Sequence, residues 1–284
     1  MKIVNIQAII YNNFMLRILT IGSEVESAKR LGLPIHISKF KNNVEKFNND
    51  IIIRWGNSNL QKSSRRDSRE FKNVINDSNS ISKNCHKYLA SVELSKVVKV
   101  PKLFETKVPN GLTVVVRPIN HASGNDFKIK KGPINLNVGE EYASEFIDTD
   151  TEIRAWFIND KIIIAKRVPL SINNDENIKC RSNWGYSYCY KTVPEKLRKL
   201  VMAGAKVLGL EFGCADILVV KNEYYFLEYN TAPSVDQIRL EKFFKNGLME
   251  LCQKKFGVKF DELANFARLK KENYHFPLVE EIRD

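Results

Sequence analysis

The sequence predicts a mixed α/β chain that becomes α+β, with mainly antiparallel strands, in its second half. Three observations carry this reading. Strand-length apolar runs alternate with helix-like stretches early in the chain, as in "MLRILTIG", "SEVESAKRLGL" and "DIIIRWGN". Pairs of strand-like runs joined by tight polar turns dominate later, as in "EIRAWFINDKIIIAKRV". No internal repeat is visible, and no apolar run approaches the ~20 residues of a membrane span. With 284 residues, 43% hydrophobic and 27% charged, the chain has the make-up of a soluble globular protein: one large domain or two to three small ones.

"MLRILTIG" reads as a strand, "SEVESAKRLGL" as a short helix capped by Ser23, and "DIIIRWGN" as a buried strand ending in Arg54, Trp55 and Gly56. The opening "MKIVNIQAIIYNNFMLRILTIG" carries one Lys and no A-x-A site, so it is not read as a signal peptide. "SNLQKSSRRDSREFKN" has no periodicity and reads as a basic linker; Arg65, Arg66 and Arg69 there suit either a solvated surface or a contact to nucleic acid or an acidic substrate. "SISKNCHKYLASVELSKV" reads as one helix, and "KVPKLFET" and "GLTVVVRPI" as strands around the turn "VPNG". After the hairpin at 152–168, "RSNWGYSYCY" reads as an aromatic loop and "VPEKLRKLVMAGAKVLGL" as a helix ending beside glycine. "CADILVV" and "EYYFLEYN" form a hairpin turning near Lys221–Asn222, "SVDQIRLEKFFKNGLMELCQKKFG" is a long amphipathic helix, and the polar tail from Phe260 is helical in part.

The net charge of +12 suits a partner rich in phosphate or carboxylate. Cys85, Cys180, Cys189, Cys214 and Cys252 match no zinc pattern and read as reduced thiols of a cytosolic protein.

The sharpest chemistry lies in "GCADILVVKNEYYFLEYNTAPS". Glu228 and Asn230 are two apart on a strand, so they share a face, and the hairpin brings Asp216 alongside. Two carboxylates and an amide oxygen suit Mg²⁺ or Mn²⁺, although an ordinary hairpin with polar edges has the same composition. "VVVRPINHASGND" is a strand that delivers Arg117 into a polar loop holding His121, Ser123 and Gly124. Such a loop can cradle phosphates with its N–H groups; one glycine is equally at home in a plain hairpin loop.

Taken in order over roughly residues 70–250, these segments resemble the ATP-grasp superfamily, and most of all its phage-type carboxylate–amine ligases. "VINDSNSISKNCHKYLASVELSKVVKVPKLF" resembles the segment that carries a nucleotide-contacting lysine, here Lys87. "VVVRPINHASGNDF" is similar to the strand and covering loop that meet the phosphates, with Arg117 where a lysine is usual and a single glycine where relatives often have two or three. "YASEFI" resembles the adenine hinge (Glu145, Phe146, Ile147), and Glu152 falls where ribose hydroxyls are bound. "EIRAWFINDKIIIAKRVP" resembles the hairpin whose arginines act in catalysis, here Arg154 and Arg167, with Lys166 beside them as a nucleotide contact. "ADILVV…YYFLEYNTAPS" resembles the metal signature, placing Asp216, Glu228 and Asn230 as ligands. Arg54, Arg181 and Trp184 are candidates for substrate binding; Arg54 is equally readable as a surface cation, and the aromatic segment as a packing plug.

The resemblance implies three units: a small N-terminal α/β domain over 1–75 with the basic linker near 58–72, a lid and central subdomain over 76–148, and an ATP-grasp core over 149–284. It implies ATP with Mg²⁺ or Mn²⁺, a carboxylate substrate activated as an acyl phosphate, and an amine acceptor on an amino acid, peptide or protein. It implies no membrane partner and a cytoplasmic place in a bacterium or phage-infected host. A kinase acting on a hydroxyl and a non-catalytic nucleotide- or nucleic-acid-binding module are the rival readings.

Overall fold

A computed structural model describes residues 16–20, 25–33, 35–37, 50–56, 71–119, 127–149, 151–169, 184–188 and 193–258. Its first layer is a parallel sheet built from β1 (Leu16–Thr20), β2 (Ile35–Ile37), β3 (Ile51–Trp55) and β4 (Asn73–Ile75), in the order β2-β1-β3-β4. The crossover helix α1 (Val25–Lys29) lies between β1 and β2. A strand covered on both faces reads as a continuous apolar run, and β3 is buried at every position. Directly after the stretch read from sequence as linker, Asn73–Ile75 pairs with Ile51–Ile53 as the sheet's edge. Three residues are too short for alternation to show, and only the ladder to β3 reveals them.

The single helix expected over 80–97 is two. Helix α2 (Ser78–Cys85) stops at His86, whose backbone leaves the helical region (φ −83°, ψ 87°), and α3 (Lys87–Ser95) starts at the next residue. Asp77 caps α2 by accepting from the Ser80 N–H at 2.7 Å, and the His86 ring nitrogen accepts from the Leu89 N–H at 3.4 Å.

The second sheet is antiparallel. It contains β5 (Leu103–Phe104), β7 (Thr113–Pro118), β8 (Lys128–Lys131) and β10 (Glu141–Glu145) in the order β5-β10-β7-β8, while β6 (Lys107–Val108) and β9 (Ile134–Asn135) form a separate two-stranded ladder. Val114, Val116, Ala143 and Phe104 form the core on one side of it.

The third sheet orders β11 (Glu152–Ile158), β12 (Lys161–Pro169), β13 (Trp184–Tyr188), β14 (Phe212–Val220) and β15 (Glu223–Asn230) as β13-β12-β11-β14-β15, all antiparallel. The segment read as an aromatic loop thus supplies a strand, with Trp184–Tyr188 pairing Ala165–Pro169. The expected turn at Lys221–Asn222 has positive φ at both residues (46° and 67°), the geometry that matches strand twist in a two-residue hairpin. Helices α4 (Glu195–Leu208) and α5 (Ile238–Phe256) cover opposite faces. Ala155 and Phe157 of β11 pack with Leu197, Val201 and Ala205 of α4. Trp156 and Ile158 pack with Phe244 and Leu248 of α5 and with Ile18, Ile53 and Trp55 of the first sheet.

Two contacts fix the end of β3 against the third sheet. Trp55 stacks on Phe212 with ring centroids 5.2 Å apart, and the Gly56 N–H donates to the Thr231 carbonyl at 3.2 Å. Asn76, fully buried, donates to the Phe212 carbonyl and accepts from the Glu211 N–H, tying β4 to the same place. No described helix is long and apolar enough to cross a membrane.

Candidate active site

Along β11, the side chains facing α5 are apolar at Trp156 and Ile158 and charged at Glu152 and Arg154. The charged end is where three adjacent strands align polar residues in one row. The ladder sets Arg154 opposite Asp216, and Asp216 opposite Glu228; a bulge between Asp216 and Ile217 shifts the pairing beyond them. Asn230 follows two residues on, opposite Cys214.

Arg154 grips Asp216 with two parallel bonds, Nε to Oδ1 at 2.6 Å and Nη2 to Oδ2 at 2.7 Å, and both side chains are buried. Each carboxylate oxygen has a second lone pair, so Asp216 retains acceptor capacity. Glu228 is more open. Its Oε2 lies 3.2 Å from Lys87 Nζ, which also donates to the Tyr229 carbonyl at 3.4 Å. Asn230 Oδ1 accepts from the Ala232 N–H at 2.8 Å, shaping the turn out of β15.

Burial by itself would lower the Lys87 pKa, but the neighbouring Glu228 carboxylate outweighs it and holds the ammonium above its ordinary value. Cys214, buried between the strands, has its thiol pushed up to about 12 by desolvation and is inert at neutral pH.

The second sheet adds another cation. Arg117 stands opposite Tyr142 in the β7–β10 ladder, donates from Nη1 to Ser144 Oγ at 3.1 Å, and has the Phe127 ring 6.0 Å from its guanidinium. Tyr142 is buried, its ring 5.6 Å from that of Tyr88. Desolvation raises its pKa, and it also feels the charges of Arg117, Glu228 and Lys87. Sequence reasoning missed Tyr142 and Ser144. Their signal is the register: aligning β10 on β7 sets them on the face that carries Arg117.

The structure therefore brings together Lys87, Arg154, Asp216 and Glu228, with Asn230 two residues on, while Arg117 stands on the second sheet beside Tyr142 and Ser144. Glu152 lies on β11 two residues before Arg154 and is buried. In the segment read from sequence as a hinge, the Glu145 N–H donates to the Lys102 carbonyl and the Phe146 N–H to the Thr113 carbonyl; Ile147 follows them. Lys166 is exposed and pairs with Ile153, which puts it on the face opposite Arg154. The backbone of Arg167 pairs with Tyr186 and that of Trp184 with Pro169. Arg54 is buried at the C-terminal end of β3, its guanidinium 5.7 Å from the Phe71 ring centre. His121, Ser123, Gly124 and Arg181 lie outside the described residues, as do Ser23, Arg65, Arg66, Arg69 and the tail from Phe260.

Among the described residues no three Asp, Glu, His or Cys side chains form a metal cluster. The third oxygen donor of the row is the Asn230 amide. Two carboxylates and an amide, with no thiol or imidazole beside them in the row except a buried neutral cysteine, fit a hard divalent cation that keeps part of its shell for water or phosphate.

Neither a protein-family model nor a curated protein matches this sequence. Solved structures do match its fold. D-alanine–D-alanine ligase from Bacillus anthracis aligns with a TM-score of 0.56 at 15% identity, over 91% of this chain and 100% of its own. The macrocyclase MdnC from Microcystis aeruginosa MRC, bound with precursor peptide MdnA, aligns with a TM-score of 0.52 at 10% identity, over 82% and 99%. The ATP-grasp ligase PsnB, complexed with a minimal precursor, Mg and ADP, aligns with a TM-score of 0.51 at 13% identity, over 80% and 91%.

Proposed function

We propose that this chain, which has the ATP-grasp fold, is an ATP-dependent carboxylate–amine ligase. The observation that carries the reading is the row Arg154, Asp216, Glu228 across three adjacent strands, with Lys87 against Glu228. The B. anthracis ligase has also been solved complexed with ATP, PsnB with Mg and ADP, and MdnC with a peptide; these neighbours support ATP as co-substrate and an amino acid or peptide as partner. The proposed units are those expected from sequence, 1–75, 76–148 and 149–284.

In this reading a carboxylate oxygen of the substrate attacks the γ-phosphorus of ATP and ADP leaves. An amine then attacks the resulting acyl phosphate, phosphate departs with the C–O electron pair, and the amine sheds a proton as the amide forms. A divalent cation held by Asp216, Glu228 and Asn230 supplies neutralisation of the phosphate charge. The chain's own residues do the rest. Arg117, already oriented by Ser144, meets the phosphates. Lys87 neutralises further charge. Arg154 orients Asp216, and Arg167 is the second arginine proposed for the reaction. Glu145, Phe146 and Ile147 receive the adenine, Glu152 the ribose. Arg54 receives the substrate carboxylate: the Gly56 N–H, two residues on, is bonded to Thr231, the neighbour of Asn230.

The test is a screen of amino acids and peptides for amine-dependent phosphate release, repeated on Asp216→Asn and Glu228→Gln. Each variant is expected to lose about 100-fold or more in turnover. Near-normal rates in both would remove the proposed site from the chemistry.

A further inference from the structure

Asn84 sits on the last turn of α2, 3% exposed, and none of the roles above uses it. Its Nδ2 donates to the Tyr229 carbonyl at 2.8 Å, across 145 positions of sequence. That carbonyl belongs to the peptide leading from Tyr229 into Asn230, one residue after Glu228. Lys87 Nζ reaches the same oxygen at 3.4 Å while standing 3.2 Å from Glu228 Oε2. Among the described residues the carbonyl thus has two side-chain donors, and the Asn84 bond is much the shorter. The break at His86 allows this: it lets Asn84 end one helix and Lys87 begin the next, so both turn toward one point on β15.

The rest of Tyr229 is already held without Asn84. Its ring is buried and stacked on Phe226, and its hydroxyl donates to the Val201 carbonyl at 2.7 Å. Packing alone therefore does not require an amide at position 84. The amide is moreover half used, since Asn84 Oδ1 is buried with no hydrogen-bond partner among the described residues. An unpaired buried acceptor works against folding, and an apolar side chain of similar size avoids it. What Asn84 adds and such a residue lacks is the N–H donor toward the strand that bears the candidate cation ligands.

We propose that Asn84 is a positioning residue whose side-chain amide fixes the Tyr229 carbonyl, and so holds Lys87 and the Glu228–Asn230 edge in the spacing that a nucleotide-bound divalent cation requires. This rests on the cation site of the ligase reading and not on the ligation step. Without the amide, Lys87 is the sole side-chain donor left to the Tyr229 carbonyl among the described residues, and its ammonium is drawn from Glu228 toward that oxygen. Outer groups that orient metal ligands typically contribute about 10–100-fold to affinity.

The experiment measures Mn²⁺ binding by electron paramagnetic resonance in the presence of a non-hydrolysable β,γ-imido ATP analogue, with thermal melting in parallel, on the wild type and Asn84→Met. The expected result is Mn²⁺ affinity weaker by about 10-fold, with a melting midpoint unchanged or higher because the unpaired oxygen is gone. Asn84→Ala, which introduces no bulk, gives the same reading should methionine not fit. Unchanged Mn²⁺ affinity in a folded variant overturns the inference alone, whatever the midpoint does. A wild type that retains no Mn²⁺ with the analogue overturns both the inference and the cation site it rests on.

Discussion

Removing Arg154 while leaving Asp216 tests the buried pair at the centre of the site. Asp216 is 6% exposed and both its oxygens are held by Arg154 at 2.6 and 2.7 Å. Arg154→Met keeps most of the side-chain volume but strands a carboxylate in a nearly dry setting. Breaking one partner of a buried, hydrogen-bonded pair costs about 3–5 kcal/mol. At about 2–4 °C per kcal/mol for an ordered body of this size, the melting midpoint should fall by roughly 6–20 °C. The double variant Arg154→Met/Asp216→Leu removes the stranded charge, so it should recover most of the midpoint while remaining inactive. Differential scanning calorimetry on the four proteins of the cycle measures this directly. A loss under about 1 kcal/mol in Arg154→Met, the range of an exposed pair, would refute the reasoning. So would a double variant no more stable than the single one.

Two further outcomes follow from the electrostatics. The Lys87 pKa is raised in the folded state, mainly because the Glu228 carboxylate overcomes burial; its pairing therefore contributes fully below the unfolded lysine value of about 10.4 and is lost as pH rises through the higher folded value. Lys87→Met should be destabilised equally from about pH 6 to pH 9, with the difference shrinking only above that, in denaturant melts; a difference that already fades between pH 6 and 8 contradicts the pairing. Burial pushes the Cys214 and Cys252 thiols up to about 12, so iodoacetamide at about pH 8 should leave both unmodified in the folded protein and label both in urea. Mass spectrometry reads the result, and labelling of native Cys214 at the rate of a free thiol would place it outside the strand pair described.

How much of this is written locally differs from element to element. Helix α4 shows itself in Leu197, Val201, Ala205 and Leu208, a stripe at helical spacing closed by Gly209. The β14–β15 hairpin shows itself in alternating residues around a turn that only positive φ can make. The polar members of that hairpin stand out because Asp and Asn are poor strand formers, so Asp216, Glu228 and Asn230 are visible without a structure. What the linear chain hides is pairing between distant segments. Arg154 meets Asp216 only because β11 lies beside β14, across 62 positions. The break at His86 interrupts a stretch of sound helical propensity, β4 is defined by a ladder rather than by its three residues, and β13 carries a glycine among aromatics that read equally as loop. Tyr142, Ser144 and Asn84 belong to the same class: each acts through a partner on another strand or helix, and nothing at short range marks them.

The most direct test of the ligase reading is hydroxylamine trapping. Incubated with ATP, Mg²⁺ and its carboxylate substrate, the protein should release ADP and, with hydroxylamine present in place of the amine, form a stoichiometric hydroxamate from the activated acyl group. ADP release accompanied by a stable phosphate ester on a hydroxyl acceptor, with no hydroxamate, would contradict it and make the protein a kinase built on the same fold.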